Sequence, residues 1–236
     1  MHCIHCGTAL ADGVTTCTQC NKVLSAAPPF ATTTPATNAF VERAKLAGKA
    51  AYQSARVFIP RPLSGIGESL GRFPNPDQSL YAGIAYCVFL MLSVLFLCWR
   101  APANKFGGGL NFEMAMKILG TGAVPFVSIV GVLLVIQALF KGSRDWKAAV
   151  FAGGASTLPF AAWAIVSTIV GMANFEVIGF LGLFAIFWTG FLVYSACTSA
   201  IGLTEAKSAF ATPVVIALSA WLCKVICSAW IGMLLV

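Results

Sequence analysis

The sequence predicts an all-α membrane protein, in which a five-helix transmembrane bundle follows a small N-terminal β-hairpin zinc ribbon. The 236 residues are 58% hydrophobic and only 10% charged, and four cysteines form two close pairs near the N-terminus. Soluble domains usually carry roughly 25% charged residues. A chain with so few charges cannot cover a water-facing surface, so lipid is the predicted solvent for most of it.

The zinc ribbon is predicted over residues 1–24, where two Cys-x-x-Cys pairs are separated by ten residues. A gap of two residues lets both sulfurs of a pair reach one tetrahedral metal, and Asp12-Gly13 between the pairs is a hairpin turn signal. The predicted ligands of one Zn²⁺ ion are Cys3, Cys6, Cys17 and Cys20.

Other uses of these cysteines are weaker. A redox dithiol would need a βαβ scaffold that 24 residues cannot supply, and a disulfide would require an oxidising compartment. His2 and His5 are alternative ligands, but we expect them to be exposed neighbours. The ribbon has one basic residue, Lys22, and no aromatic residue, which argues against nucleic acid and favours docking of a protein partner.

Residues 25–79 are predicted to form a flexible linker and a juxtamembrane helix. Ala, Thr and Pro dominate the first part. Between positions 38 and 59, helical spacing places six residues on one face: Phe40, Ala44, Ala47, Ala51, Ala55 and Phe58. This helix could lie on an anionic membrane surface or serve as a solvated tether. Glycines and prolines between 60 and 77 predict a loop.

Five apolar segments follow in residues 80–236, and each is long enough to cross the hydrocarbon as a helix. With a cytoplasmic N-terminus, eleven basic residues would lie inside and three outside, as the positive-inside rule requires. This predicts an integral protein of a bacterial cytoplasmic (inner) membrane with an external C-terminus. The predicted spans are 80–99, 118–140, 148–171, 177–200 and 213–236.

Three stretches in this region resemble the Yip (Ypt/Rab-interacting) family of five-span membrane proteins. They are Gly107–Phe112 leading to Pro125, the charged loop 141–147, and Ala200–Ala209 followed by Pro213. The resemblance implies a Yip-like, non-enzymatic domain over residues 80–236, of a type that bacterial members join to a zinc ribbon. The chain lacks the Asp-Leu-Tyr-Gly-Pro type of motif, so GTPase binding is not carried over.

Lys224 is the one basic residue predicted in the middle of a span, where a lysine costs roughly 2.5–3.5 kcal/mol. We expect it to face the bundle interior and bond backbone carbonyl oxygens or a hydroxyl such as that of Ser195 or Thr198. Otherwise it would extend toward the interface or lose its charge. No histidine follows residue 5 and no acidic pair lies inside a span, which argues against an enzyme.

Two functions follow from these features. The first is a membrane scaffold or adaptor whose ribbon docks a protein partner, for instance in membrane organisation or trafficking, with a homo-oligomer left open. The alternative is a small transporter or channel with Lys224 in its interior and a discontinuous helix at Gly120–Pro125.

Overall fold

A computed structural model describes four stretches of the chain, and it divides residues 1–44 from residues 45–236 as two compact units. The predicted ribbon over residues 1–24 and its four cysteines lie outside the described residues. The described stretches are 36–100, 112–140, 145–170 and 174–232.

All regular elements of the described residues are helices. A π-helical turn, Ala196–Ala200, directly follows the sixth α-helix. The helices are α1 (Ala36–Phe58), α2 (Gly65–Arg72), α3 (Pro76–Arg100), α4 (Phe112–Leu139), α5 (Trp146–Val170), α6 (Phe175–Ser195) and α7 (Glu205–Gly232).

Helices α3 to α7 confirm the five predicted spans. Each contains an apolar segment of 24 to 28 residues, so all five are long and apolar enough to cross a membrane, as an integral membrane protein requires. The largest difference concerns the last span, which begins at Glu205 instead of Pro213. Pro213 lies in the third turn of α7, and the residues before it continue the helix.

The predicted loop between 60 and 77 is wrong in its centre, where α2 forms. Ile66 of α2 is completely buried, and a Cβ atom on Gly65 would lie only 2.3 Å from Phe58 Cα. Likewise, a Cβ atom on Gly67 would lie 2.8 Å from Ser199 Cβ. The glycines that suggest a loop in the sequence are therefore used for close packing of a short helix.

The centre of the bundle is α5, which packs against α3, α4 and α6. Small residues line its contact with α3, where Gly83 faces Gly154. A Cβ atom on Gly154 would lie 2.6 Å from the Gly83 carbonyl oxygen, so the two helices touch backbone to backbone. Such contact between small residues is how membrane helices pack closely without a hydrophobic driving force.

Helix α4 is continuous through Gly120–Pro125, so the discontinuity considered for a transport site is not observed. Gly122 packs against α3, and its added Cβ atom would lie 3.1 Å from Met91 Cα. Within a membrane helix, neighbouring helices can help to satisfy the backbone group that a proline such as Pro125 leaves without a hydrogen bond. The glycine here serves helix packing.

One end of the bundle, which we call the basic end, contains the starts of α3, α5 and α7 and the ends of α4 and α6. Lys147 Nζ lies 2.6 Å from Asp77 Oδ1, which joins the starts of α5 and α3. Lys207 Nζ at the start of α7 lies 5.9 Å from the Phe140 ring centre, just after α4. Gly202, with φ +82°, makes the turn from the π-helical segment to α7.

Candidate functional site

The last two turns of α1 are built into the helical bundle. Ala51 and Phe58, two residues of the predicted apolar face, are buried, and Ser54 between them is buried as well. Phe40, which was predicted on the same face, is 74% exposed. The end of α1 is therefore neither a solvated tether nor a helix held only by lipid.

Hydrogen bonds join α1 to α2 and α3. The Tyr86 hydroxyl in α3 donates to the Ala51 carbonyl oxygen at 2.6 Å and lies 2.7 Å from Ser54 Oγ. Ser69 Oγ in α2 donates to the Ser54 carbonyl oxygen at 3.3 Å. Because these groups are buried, their bonds favour one position of α1 against the bundle.

Aromatic rings complete this attachment. The Phe58 ring meets Tyr86 edge to face at 5.8 Å between centres, and it meets Phe151 of α5 at 6.4 Å. Phe73, which follows α2, contacts the same Phe151 ring at 5.2 Å. Edge-to-face pairs of this kind add about 0.5–1.5 kcal/mol beyond their burial.

Beside this attachment, α1, α2 and the first turn of α3 enclose a groove of about 770 Å³, which we call the α1–α2 groove. Its lining contains three arginines and one carboxylate, so its side chains carry a net positive charge. These residues are Arg56 in α1, Arg61 in the connection between α1 and α2, and Glu68 and Arg72 in α2.

Sequence reasoning missed this groove. The three arginines were among the eleven basic residues that predicted the orientation, and Arg61 and Arg72 belonged to a region predicted to be a loop. Their placement depends on the short helix α2 and on its contact with α1. The only signal available in the sequence was the presence of basic residues on both sides of a proline-rich segment. Such a pattern predicts a positive charge, but it does not predict a groove.

Lys224 does not face the bundle interior, so that prediction is wrong. Its side chain is exposed on α7 and makes no hydrogen bond or ion pair with the described part of the chain. The hydroxyl of Thr198, one of the two expected as partners, donates instead to the Tyr194 and Ser195 carbonyl oxygens of its own helix.

Lys224 also lies nearer one end of the bundle than the sequence suggested. Ser219 Oγ in α7 is 3.5 Å from the Ser128 carbonyl oxygen in the antiparallel helix α4. Lys224 follows Ser219 by five residues and follows Glu205, where α7 begins, by 19. About 28 Å of helix therefore separates Lys224 from the start of α7, which is close to the roughly 30 Å thickness of the hydrocarbon. A lysine at this depth can extend its ammonium group to the interface.

We therefore expect Lys224→Leu to change the free energy of unfolding in detergent micelles by less than about 1 kcal/mol, as is usual for an exposed substitution. The matched variant Leu218→Lys places the charge near mid-membrane on an exposed part of the same helix and should cost about 2.5–3.5 kcal/mol. Similar effects of the two variants would contradict the assigned depth of Lys224.

The described cysteines are Cys87, Cys98, Cys197, Cys223 and Cys227, and all five are free. No group of three or more His, Cys, Asp or Glu side chains within the described stretches is arranged to hold a metal ion. The predicted zinc ligands lie outside those stretches, so the zinc site stays a prediction. Comparisons with protein-family models, with curated proteins and with solved structures gave no match to this chain.

Proposed function

We propose that this protein is an integral membrane scaffold whose N-terminal zinc ribbon docks a protein partner. The observation that carries the proposal is the attachment of α1 to the bundle through Phe58, Ser54 and Tyr86. This attachment fixes the place where the chain joins the membrane domain. An adaptor that holds a partner at the membrane requires such a fixed place. Zn²⁺ bound by Cys3, Cys6, Cys17 and Cys20 would fold the docking module.

The packing of the bundle favours anchoring over transport. Helices α3 and α5 touch through Gly83 and Gly154. The buried hydroxyls of Ser156, Thr157 and Thr168 on α5 donate to carbonyl oxygens of their own helix. Lys224, the residue on which an interior site for a solute depended, is exposed. These features give no support to a transporter or channel.

We further propose that the bundle is a Yip-like domain in a bacterial cytoplasmic membrane, with its basic end inside. Support comes from the side chains of Arg56, Arg61, Arg72, Lys147 and Lys207, which belong to the segments at that end. Basic residues favour the cytoplasmic side of membrane proteins. A labelled residue near the start of α7 should therefore be inaccessible to impermeant reagents in intact cells.

The zinc content and partner binding of full-length protein test the scaffold function together. Intact protein should contain one zinc ion per chain and should crosslink in cells to one defined partner in a fixed ratio. Cys3→Ser/Cys6→Ser should lose both, because two remaining thiolates cannot complete a tetrahedral zinc site. The matched control is Cys98→Ser, which changes an exposed cysteine of α3 and should keep zinc and partner.

A partner that stays bound to zinc-free protein would contradict docking through the ribbon. Solute flux in liposomes, retained after removal of residues 1–24, would instead favour the transporter alternative.

A further inference from the structure

The α1–α2 groove lies beside the start of the α3 span, at the level expected for lipid headgroups. Gln78 in the first turn of α3 lines it and lies two residues before Leu80, where the span predicted from the sequence begins. Tyr86, which holds α1, lies about 9 Å beyond Leu80 along α3. The end of α1 therefore reaches the depth typical of interfacial helices, about 5–10 Å into the boundary between headgroups and acyl chains.

The charged side chains of the groove suit a phosphate group. Arg61 Nη1 lies 3.4 Å from Glu68 Oε2, and Arg72 forms an ion pair with Glu68 Oε1. One carboxylate thus orients two guanidinium groups, while the arginines outnumber it by two. Arg56 makes no ion pair with any described residue, and its guanidinium carbon lies 5.9 Å from the Tyr52 ring centre. Planar guanidinium groups bind phosphate oxygens in pairs of hydrogen bonds.

Apolar side chains line another part of the groove and suit the part of a lipid next to its phosphate. Val57, Pro60, Phe73 and Pro74 line the same groove as the three arginines. A soluble anion would use the charged and polar side chains of the groove and leave these apolar residues uncovered. A phospholipid would also place its glycerol backbone and the first carbons of its acyl chains against these residues.

We propose that the α1–α2 groove binds the phosphate group of an anionic phospholipid. Arg56, Arg61 and Arg72 bind the phosphate, and Glu68 holds two of them in position. The neighbouring apolar residues accept the start of the acyl chains. Basic pockets at the cytoplasmic ends of transmembrane helices are suited to such headgroups. The lipid would contact α1, α2 and α3 at once and so favour the observed position of α1.

The test uses detergent-solubilised full-length protein titrated separately with short-chain phosphatidylglycerol, short-chain phosphatidylcholine and inorganic phosphate. Binding is measured by the shift of the melting temperature and by native mass spectrometry. We expect phosphatidylglycerol to bind at least tenfold more tightly than phosphatidylcholine. Each basic contact near a membrane surface contributes a factor of about five, so Arg56→Gln/Arg61→Gln should weaken binding roughly thirty-fold.

The matched control, Lys45→Gln/Lys49→Gln, removes the same charge from α1 outside the groove and should leave the affinity within about two-fold. Equal loss in both double variants would overturn the proposal, since net charge alone would then explain binding. Equal affinity for the two lipids would also overturn it. If inorganic phosphate binds as tightly as phosphatidylglycerol, the lipid assignment is overturned and a soluble phosphate compound takes its place.

Discussion

Phe58→Ala should destabilise the protein by about 3–5 kcal/mol and release the end of α1 from the bundle. The Phe58 side chain is completely buried between α3 and α5, in contact with the rings of Tyr86 and Phe151. Alanine would leave a cavity that the two helices cannot close, because Gly83 and Gly154 already hold them in backbone contact. The free energy of unfolding in mixed micelles measures the loss.

Hydrogen exchange distinguishes release of α1 from general destabilisation. In Phe58→Ala, the backbone amides of residues 51–58 should exchange much faster, while those of α5 keep most of their protection. Ile59→Ala is the matched control, because its side chain is 51% exposed and should cost less than about 1 kcal/mol. Equal losses for Phe58 and Ile59 would mean that α1 is not held by its buried ring.

Gly83→Ala should destabilise the protein by about 3 kcal/mol, at the upper end of the usual cost of overpacking. The added Cβ atom would lie 2.7 Å from the Val150 carbonyl oxygen and 2.9 Å from Phe151 Cα. These are backbone atoms of α5, so no side chain can rotate away and the helices must separate. Separation would weaken the most extensive helix contact of the described unit.

Gly154→Ala adds a methyl group to the same contact from the side of α5, and it should lower the free energy of unfolding by a similar amount. The double variant should lose less than the sum, because the first substitution already separates the helices. Gly131→Ala is the control. A Cβ atom there meets nothing within 4 Å, and alanine should leave stability unchanged or raise it by about 0.5–1 kcal/mol. A Gly83→Ala protein as stable as Gly131→Ala would contradict the close approach of α3 and α5.

The end of α1 shows how far helical spacing alone leads. The sequence predicted a helix between positions 38 and 59 with Ala51 and Phe58 on one face, and both side chains are buried. It left open what covers that face, because an alanine-rich stripe can lie on lipid or against protein. The Tyr86 hydroxyl donates a hydrogen bond to the Ala51 carbonyl oxygen from 35 residues away in the chain. This contact shows that protein covers the face at Ala51.

The α1–α2 groove could not be predicted for a related reason. Gly65 and Gly67 suggest a loop when only neighbours in the chain are considered. In the structure they allow Phe58 and Ser199 to approach, and the burial of Ile66 stabilises the short helix that carries Glu68 and Arg72. A glycine serves turns and close contacts equally well, and the surrounding fold determines which use it has.

Hydropathy along the chain was enough to predict the number of spans, their approximate limits and the helical class of the membrane part. Those properties depend on hydrophobicity summed over about twenty residues and on backbone hydrogen bonds that lipid cannot supply. Tertiary structure alone decided that α7 begins at Glu205, that Lys224 is exposed toward one end of the bundle, and that three arginines surround one groove. Depth and direction of a side chain depend on the register between helices. That register is set by contacts such as Gly83 with Gly154, between residues far apart in the chain.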